Sequence, residues 1–103
     1  MANFIGKKVI IRAAHAGVFF GTLVEKEATA AGVEVVLHNS RRLWYWKGAC
    51  SLSQLANEGV KDPYDCKFTV IVPEHNVMQV IEIIPCSEAA VKSIEGVKEW
   101  RKN

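Results

Sequence analysis

The segment Val18–Glu25 (VFFGTLVE) most constrains how this chain can fold, because both of its faces carry apolar side chains. In an extended strand, Phe20 falls on one face, whereas Phe19 and Leu23 fall on the other. A strand with two apolar faces needs cover on both sides. Gly21, in the middle of the run, predicts a bend or a bulge.

Neighbouring segments predict that this strand is the centre of an antiparallel meander. Lys7–Ala13 and Val33–His38 are rich in β-branched residues, which favour strands. A turn ending at Gly17 and a loop over Lys26–Gly32 would connect them. Asn39–Ser40 predicts the next turn, because both side chains can hydrogen-bond to the local backbone.

The second half of the sequence adds further strands and two short helices. The predicted strands are Arg42–Trp46, Lys67–Val72 and Val77–Ile84, and the predicted helices are Leu52–Glu58 and Glu88–Ile94. Ser51 and Ser87 precede the helices as caps, and Pro73 would end the strand before it. We therefore predict one α+β domain over residues 1–103, with a small, strongly bent antiparallel sheet and two short helices.

Composition excludes several classes of protein. Thirteen basic residues against eleven acidic ones give a net charge of +2, which is too mild to favour nucleic-acid binding. The sequence shows no apolar run of the ~18 residues that a membrane span needs, and no secretory signal. The cysteines, Cys50, Cys66 and Cys86, are odd in number and widely spaced. We therefore expect reduced thiols and a cytoplasmic protein.

The sequence offers no recognisable catalytic or metal-binding constellation. The motifs G-x-S-x-G, H-E-x-x-H and C-x-x-C do not occur, and His15, His38 and His75 are scattered. Cys66 and His75 could act as nucleophile and base, but their spacing does not support that pairing. We expect no metal and no cofactor, and an enzyme is the least favoured class.

The densest chemical signal is Asn39–Lys47, where two guanidinium groups adjoin three aromatic rings. Guanidinium groups bind phosphate in a bidentate manner, and aromatic faces stack on bases. Strand alternation puts Arg42, Trp44 and Trp46 on one face. The candidate ligand-binding residues are Asn39, Arg41, Arg42, Trp44, Tyr45, Trp46 and Lys47. Alternatively, the tryptophans belong to the core, because burial of aromatic area dominates core energetics.

These candidates predict a division of labour around a nucleotide. Arg41 and Arg42 would hold phosphate, while one of the three aromatic residues would stack the base and Asn39 would bond a base edge or ribose. We expect Arg42→Ala to abolish such binding and leave the fold intact.

Two apolar strands favour association of several copies. Val18–Val24 and Val77–Ile84 present apolar side chains to both sides of the sheet, which a chain this short can cover only with difficulty. A homo-oligomer would cover them, and ligand pockets would then lie at subunit interfaces.

The first half resembles an SH3-like or Sm-like small barrel. The resemblance is carried by Lys8–Arg12, Gly17–Val24 and Val33–Asn39, which match the strand rhythm of that architecture. The chain has no room for the N-terminal helix of the Sm type. RNA binding, which this resemblance would imply, is disfavoured at a net charge of +2.

A second resemblance covers nearly the whole chain. Gly17–Leu23, Arg41–Ala49, Ser51–Ala56, Cys66–Phe68 and Val80–Cys86 resemble a family of small phage and prophage proteins. That family is similar to the phage anti-Thoeris sponge proteins of the Thoeris anti-defence one type. The resemblance implies a non-enzymatic oligomer that sequesters a cyclic nucleotide signal, such as a cyclic ADP-ribose isomer, in the cytoplasm of an infected bacterium.

Two alternatives to nucleotide capture remain open. Exposed aromatic residues could be the hot spots of a module that inhibits a host protein directly. A nucleic-acid-binding barrel is the other alternative, and it would show a steep dependence on salt.

Overall fold

The computed structural model describes residues 3–102 as an antiparallel sheet with two short helices. The strands are β1 (Lys8–Ala13), β2 (Gly17–Thr29), β3 (Gly32–Tyr45), β4 (Lys67–Phe68) and β5 (Val72–Pro85). The helices are α1 (Leu52–Glu58) and α2 (Glu88–Glu95), and a short 3₁₀ turn covers Pro63–Asp65. The fold class is α+β, which confirms the prediction from sequence.

The sheet is strongly bent because its four long strands pair in a circuit. β1, β2 and β3 form the expected meander, and β5 returns to pair with both β1 and β3. Register shifts interrupt the ladders between β1 and β5, between β2 and β3, and between β3 and β5. Bulges of this kind bend strands locally, and the sheet is not a regular barrel.

One bulge lies where Gly21 was expected to mark it. β3 places two residues, Asn39 and Ser40, opposite the single residue Gly21 of β2. Asn39 adopts a φ of 53°, which Asn tolerates better than most residues. The predicted turn at Asn39–Ser40 and the separate strand Arg42–Trp46 are therefore wrong. The turn-forming residue is used for a bulge within one long strand.

The extra residue reverses the alternation of side chains along β3. Before the bulge, Leu37 packs in a cluster that we call the strand core; after it, Leu43 packs in a second cluster, the helix core. The strand core comprises Val9, Ile11, Ala13, Phe19, Leu23, Val35, Leu37, Val77 and Val80. The helix core comprises Ile10, Phe20, Leu43, Leu55, Ala56, Val60, Cys66, Phe68, Ile94 and Val97.

These two cores cover both faces of β2 within one chain. Phe19 lies in the strand core and Phe20 in the helix core, and both are nearly inaccessible to solvent. The expectation of cover on both sides is confirmed. The cover comes from the curled sheet on one side and from the helices on the other, so it does not require a second subunit. Homo-oligomerisation stays a prediction.

Two further boundaries differ from the sequence prediction. The expected loop Lys26–Gly32 is mostly strand, because Lys26–Thr29 pairs across the hairpin with β3 despite its polar composition. The expected strand Lys67–Val72 is cut to the two residues of β4. Pro73 does not end a strand; it lies near the start of β5, where a missing N–H is tolerated.

Both helices begin at their expected caps. The Ser51 hydroxyl accepts a hydrogen bond from the Gln54 N–H at 3.1 Å, and the Ser87 hydroxyl accepts one from the Ala90 N–H at 3.0 Å. These bonds satisfy amide groups that would otherwise lack partners in the first turn. Within residues 3–102, no helix has the length and apolar character needed to cross a bilayer.

Candidate ligand-binding site

Arg41 lies in the interior, where its guanidinium group joins separate parts of the chain. The residue is 3% exposed. Its Nε donates to the Thr69 carbonyl at 3.2 Å, its Nη1 to the Ile94 carbonyl at 3.0 Å and its Nη2 to the Phe68 carbonyl at 3.1 Å. Ile94 lies in the last turn of α2, where the helix dipole favours a cation, and its carbonyl also accepts from the Val97 N–H at 3.2 Å.

This position does not suit the predicted role of Arg41 in holding phosphate. Its donors are committed to backbone carbonyls, and the group is removed from solvent. Burial lowers the pKa of Arg41 from its ordinary value, because the charged form is desolvated, while the charge of Glu99 opposes that change. We therefore assign Arg41 to the fold and not to the site.

Arg42 and Trp44 lie on the opposite side of β3. The Arg42 guanidinium carbon lies 4.8 Å from the centroid of the Phe19 ring, which is a cation–π contact. Trp44 is 64% exposed and lies two residues further along the same strand. Asn39 is also exposed, at the bulge. The prediction that Arg42 and Trp44 share a face agrees with their alternation along β3.

Trp46 does not continue that face. β3 ends at Tyr45, so strand alternation stops before Trp46, which is half-buried and packs against the helix core. The remaining predicted residues, Tyr45 and Lys47, line a groove on the helix-core side of the sheet. The structure therefore divides the seven predicted residues among the interior, an outer surface and a groove.

The groove has two adjoining lobes. The strand lobe, of about 390 Å³, is lined by Tyr45, Lys47, Tyr64, Asp65, Cys66, Lys67 and Trp100. The tail lobe, of about 270 Å³, is lined by Pro63, Tyr64, Cys66, Gly96, Lys98, Glu99 and Trp100. Both lobes share Tyr64, Cys66 and Trp100. We call the whole the aromatic–lysine groove, because three aromatic residues and three lysines surround it.

The segment after α2 holds Trp100 in place beside β4. The backbone N–H of Trp100 donates to the Phe68 carbonyl at 2.8 Å, and Glu99 pairs with Phe68 in a parallel bridge. The Glu99 carboxylate accepts a further bond from the Ile71 N–H at 3.1 Å. Lys67 Nζ lies 5.4 Å from the centroid of the Trp100 ring. One wall of the groove is therefore tied to the sheet.

Tyr64 and Cys66 line both lobes of the groove, Tyr64 as an exposed residue and Cys66 as a buried one. Tyr64 lies in the 3₁₀ turn Pro63–Asp65 and is 99% exposed. Cys66 is buried, and its thiol donates to the Asp62 carbonyl at 3.4 Å. Burial raises the pKa of the Cys66 thiol, so the thiol is protonated at neutral pH and is a poor nucleophile.

Cys66 and His75 occupy different parts of the molecule. Cys66 belongs to the helix core, whereas His75 packs edge-on against Phe19 of the strand core at 5.1 Å. These positions do not favour the nucleophile–base pairing considered from the sequence. Among residues 3–102, no cluster of His, Cys, Asp or Glu side chains has the arrangement to hold a metal ion.

Four of the six aromatic and lysine residues of the groove were not among the candidates from sequence: Tyr64, Lys67, Lys98 and Trp100. Two of them carried a detectable signal. Tyr64 stands between Pro63 and Asp65 in a polar loop, and Trp100 stands in a charged tail. Neither aromatic fits an apolar periodicity, so a position outside the core could have been suspected. Their convergence depends on tertiary contacts.

The chain folds as a small α+β domain whose surface carries a groove lined by aromatic residues and lysines. The chain belongs to a family described as a domain of unknown function, DUF6948, whose sequence profile matches residues 6–94. No curated protein and no solved structure matches the chain. The matched range ends before Lys98 and Trp100, which complete one wall of the groove.

Proposed function

We propose that this protein is a non-enzymatic binding protein that holds a phosphate-bearing nucleotide in the aromatic–lysine groove. The observation that carries this proposal is the convergence of Tyr45, Tyr64 and Trp100 with three lysines around one concave surface. Aromatic faces stack on bases for about 1–3 kcal/mol per base. Ammonium groups attract phosphate, and ligands bind preferentially in concave sites.

The groove includes two of the seven ligand-binding residues that were predicted from the sequence. Tyr45 and Lys47 remain candidate ligand contacts. Arg41 is committed to backbone carbonyls and Trp46 to the helix core, so neither can complete a site with Arg42. The phosphate-binding role passes to the lysines of the groove, and the stacking role passes to Tyr64 and Trp100.

The biological role follows from the resemblance to phage sponge proteins. In this proposal the nucleotide is an immune signal, such as a cyclic ADP-ribose isomer, and the protein sequesters it without turnover. It would act in the cytoplasm of the infected bacterium, as a homo-oligomer. The raised pKa of the Cys66 thiol in the groove agrees with binding and does not favour nucleophilic catalysis.

The test is native mass spectrometry of the purified protein with cyclic nucleotides and cyclic ADP-ribose isomers. We expect an intact nucleotide at a fixed ratio per subunit, and loss of that species in Trp100→Ala. Trp44→Ala is the matched control, because Trp44 is an exposed tryptophan outside the groove. A nucleotide released in altered form would contradict the non-enzymatic proposal. Equal loss in both variants would contradict the site.

A second candidate is direct inhibition of a host protein. It is favoured by three consecutive apolar residues at the start of β5 and just before it, each more than a third exposed: Val70, Ile71 and Val72. Neighbouring exposed apolar residues are typical of protein interfaces. We would then expect Ile71→Asp to lose one stoichiometric partner while Trp100→Ala retains it, as measured by pull-down from nuclease-treated lysate.

A further inference from the structure

We propose that the nucleotide bound in the aromatic–lysine groove carries phosphate groups on both the 3′ and the 5′ side of its ribose, as a nucleoside 3′,5′-bisphosphate does. This inference rests on the proposed function and names the class of ligand. It follows from the way the two lobes meet. Tyr64, Cys66 and Trp100 line both lobes and so form a seam between them.

The seam is suited to a flat ring. Cys66 is buried, at 8% exposure, while the aromatic residues Tyr64 and Trp100 that line the seam with it are exposed. A base inserted there would stack on aromatic faces and cover an apolar thiol. None of the three seam residues carries a charged side chain at neutral pH, so the charged contacts must come from the lobes on either side.

Lysines occupy both of those lobes. Lys47 and Lys67 line only the strand lobe, and Lys98 lines only the tail lobe. A nucleoside monophosphate whose base occupies the seam would reach one lobe. A nucleoside with phosphates at both its 3′ and 5′ positions would place an anion in each, where ammonium groups favour it.

The acidic residues of the groove do not cancel these cations. Glu99 in the tail lobe already accepts bonds from the Ile71 N–H and from Arg101, at 3.1 and 3.0 Å. In the strand lobe, the Asp65 Oδ2 atom lies 4.0 Å from the Lys47 Nζ atom. Within residues 3–102, Lys67 and Lys98 form no ion pair with a carboxylate. Each lobe therefore retains a lysine that can pair with phosphate.

The ligand is a free nucleotide and not a segment of a nucleic-acid strand. Polymer binding without sequence preference uses a positively charged path that follows the backbone over several nucleotides. The whole chain carries a net charge of only +2. Two phosphate contacts on the two sides of one ribose match one nucleotide unit.

The experiment is isothermal titration calorimetry with adenosine 5′-monophosphate, adenosine 3′-monophosphate, adenosine 3′,5′-bisphosphate and a short single-stranded oligonucleotide. We expect the bisphosphate to bind about tenfold more tightly than either monophosphate, because it gains one charge-assisted contact. Lys98→Ala should weaken binding of one monophosphate, and Lys67→Ala should weaken binding of the other. Lys92→Ala, an exposed lysine on α2 outside the groove, is the control.

The outcomes separate this inference from the proposed function. Equal affinity for monophosphate and bisphosphate, lost in Trp100→Ala, would overturn the inference and leave nucleotide binding in place. Oligonucleotide binding that is tighter than bisphosphate binding and falls steeply with salt would also overturn it. Absence of binding by every nucleotide would overturn both. The reciprocal loss of the two monophosphates in the two lysine variants would support it.

Discussion

Arg41 and Arg42 are adjacent in the chain, yet β3 turns them to opposite sides of the sheet with opposite consequences. Arg41 is buried and donates to three backbone carbonyls, whereas Arg42 is exposed and lies over the Phe19 ring. The two arginine side chains thus contribute differently to the stability of the fold, because Arg41 bonds to backbone carbonyls in the interior and Arg42 does not. Residue type therefore marks a candidate, whereas burial decides whether that residue serves the fold or a ligand.

The largest effect should come from removing the interior arginine. We expect Arg41→Met to lower the free energy of unfolding by about 3 kcal/mol, because carbonyls of Thr69, Phe68 and Ile94 would lose a buried donor. The measurement is urea denaturation followed by circular dichroism. Arg41→Lys should rescue only part of the loss, since one ammonium group cannot reproduce the fork. Unchanged stability in Arg41→Met would refute the structural role.

The second-largest loss of stability should come from a change at Gly21, which lies opposite the bulge of β3. A Cβ on Gly21 would lie 3.1 Å from the His38 carbonyl oxygen and 3.3 Å from the Ser40 Cα. We expect Gly21→Val to cost about 2 kcal/mol of unfolding free energy, because the backbone of β3 must give way. Ala28→Val, at an exposed position of the same strand, is the control and should change little.

This bulge also explains how much could be predicted from sequence. The meander, the two helices and the need to cover both faces of β2 follow from local patterns and were predictable. The faces of Arg41 and Leu43 were not, because one extra residue at Asn39–Ser40 reverses their alternation relative to Leu37. Alternation predicts which residues share a face only within a stretch of strand that contains no bulge, and it does not predict which face lies inside.

The groove was harder to predict for a different reason. Tyr45 and Lys47 lie in the aromatic segment that drew attention, but Tyr64 and Trp100 come from a 3₁₀ turn and from the chain after α2. Backbone contacts of Glu99 and Trp100 with Phe68 bring the tail to the sheet. Such a constellation of residues distant in sequence leaves no spacing that a motif search can detect.

A smaller effect on stability, one that depends on pH, should come from His75. His75 lies beside Phe19, and its Nδ1 is 3.1 Å from the Ser40 hydroxyl oxygen. Burial lowers the pKa of His75, and the positive charge of Arg42 lowers it further. The unfolded chain therefore binds this proton more readily than the folded one. The stabilisation is complete above the ordinary pKa of histidine and is lost as the pH falls.

The measurement is the free energy of unfolding between about pH 7.5 and pH 5, with the His75 pKa followed by NMR. We expect His75→Gln to flatten the loss of stability on acidification. A variant that retains the full slope would show that another group is responsible. His38→Gln is the control variant. His38 is an exposed histidine on β3, and its Nε2 lies 3.6 Å from the Glu74 carboxylate.

The smallest effect on stability should come from Arg42, and it decides between the two candidate surfaces. Because Arg42 is exposed, its replacement by Ala should cost less than about 1 kcal/mol, mainly through the lost contact with Phe19. It should also raise the pKa of His75 toward its ordinary value, since a neighbouring cation is removed. If the ligand occupies the aromatic–lysine groove, Arg42→Ala retains nucleotide binding while Trp100→Ala loses it. The reverse result would return the site to the face of Arg42 and Trp44 expected from the sequence.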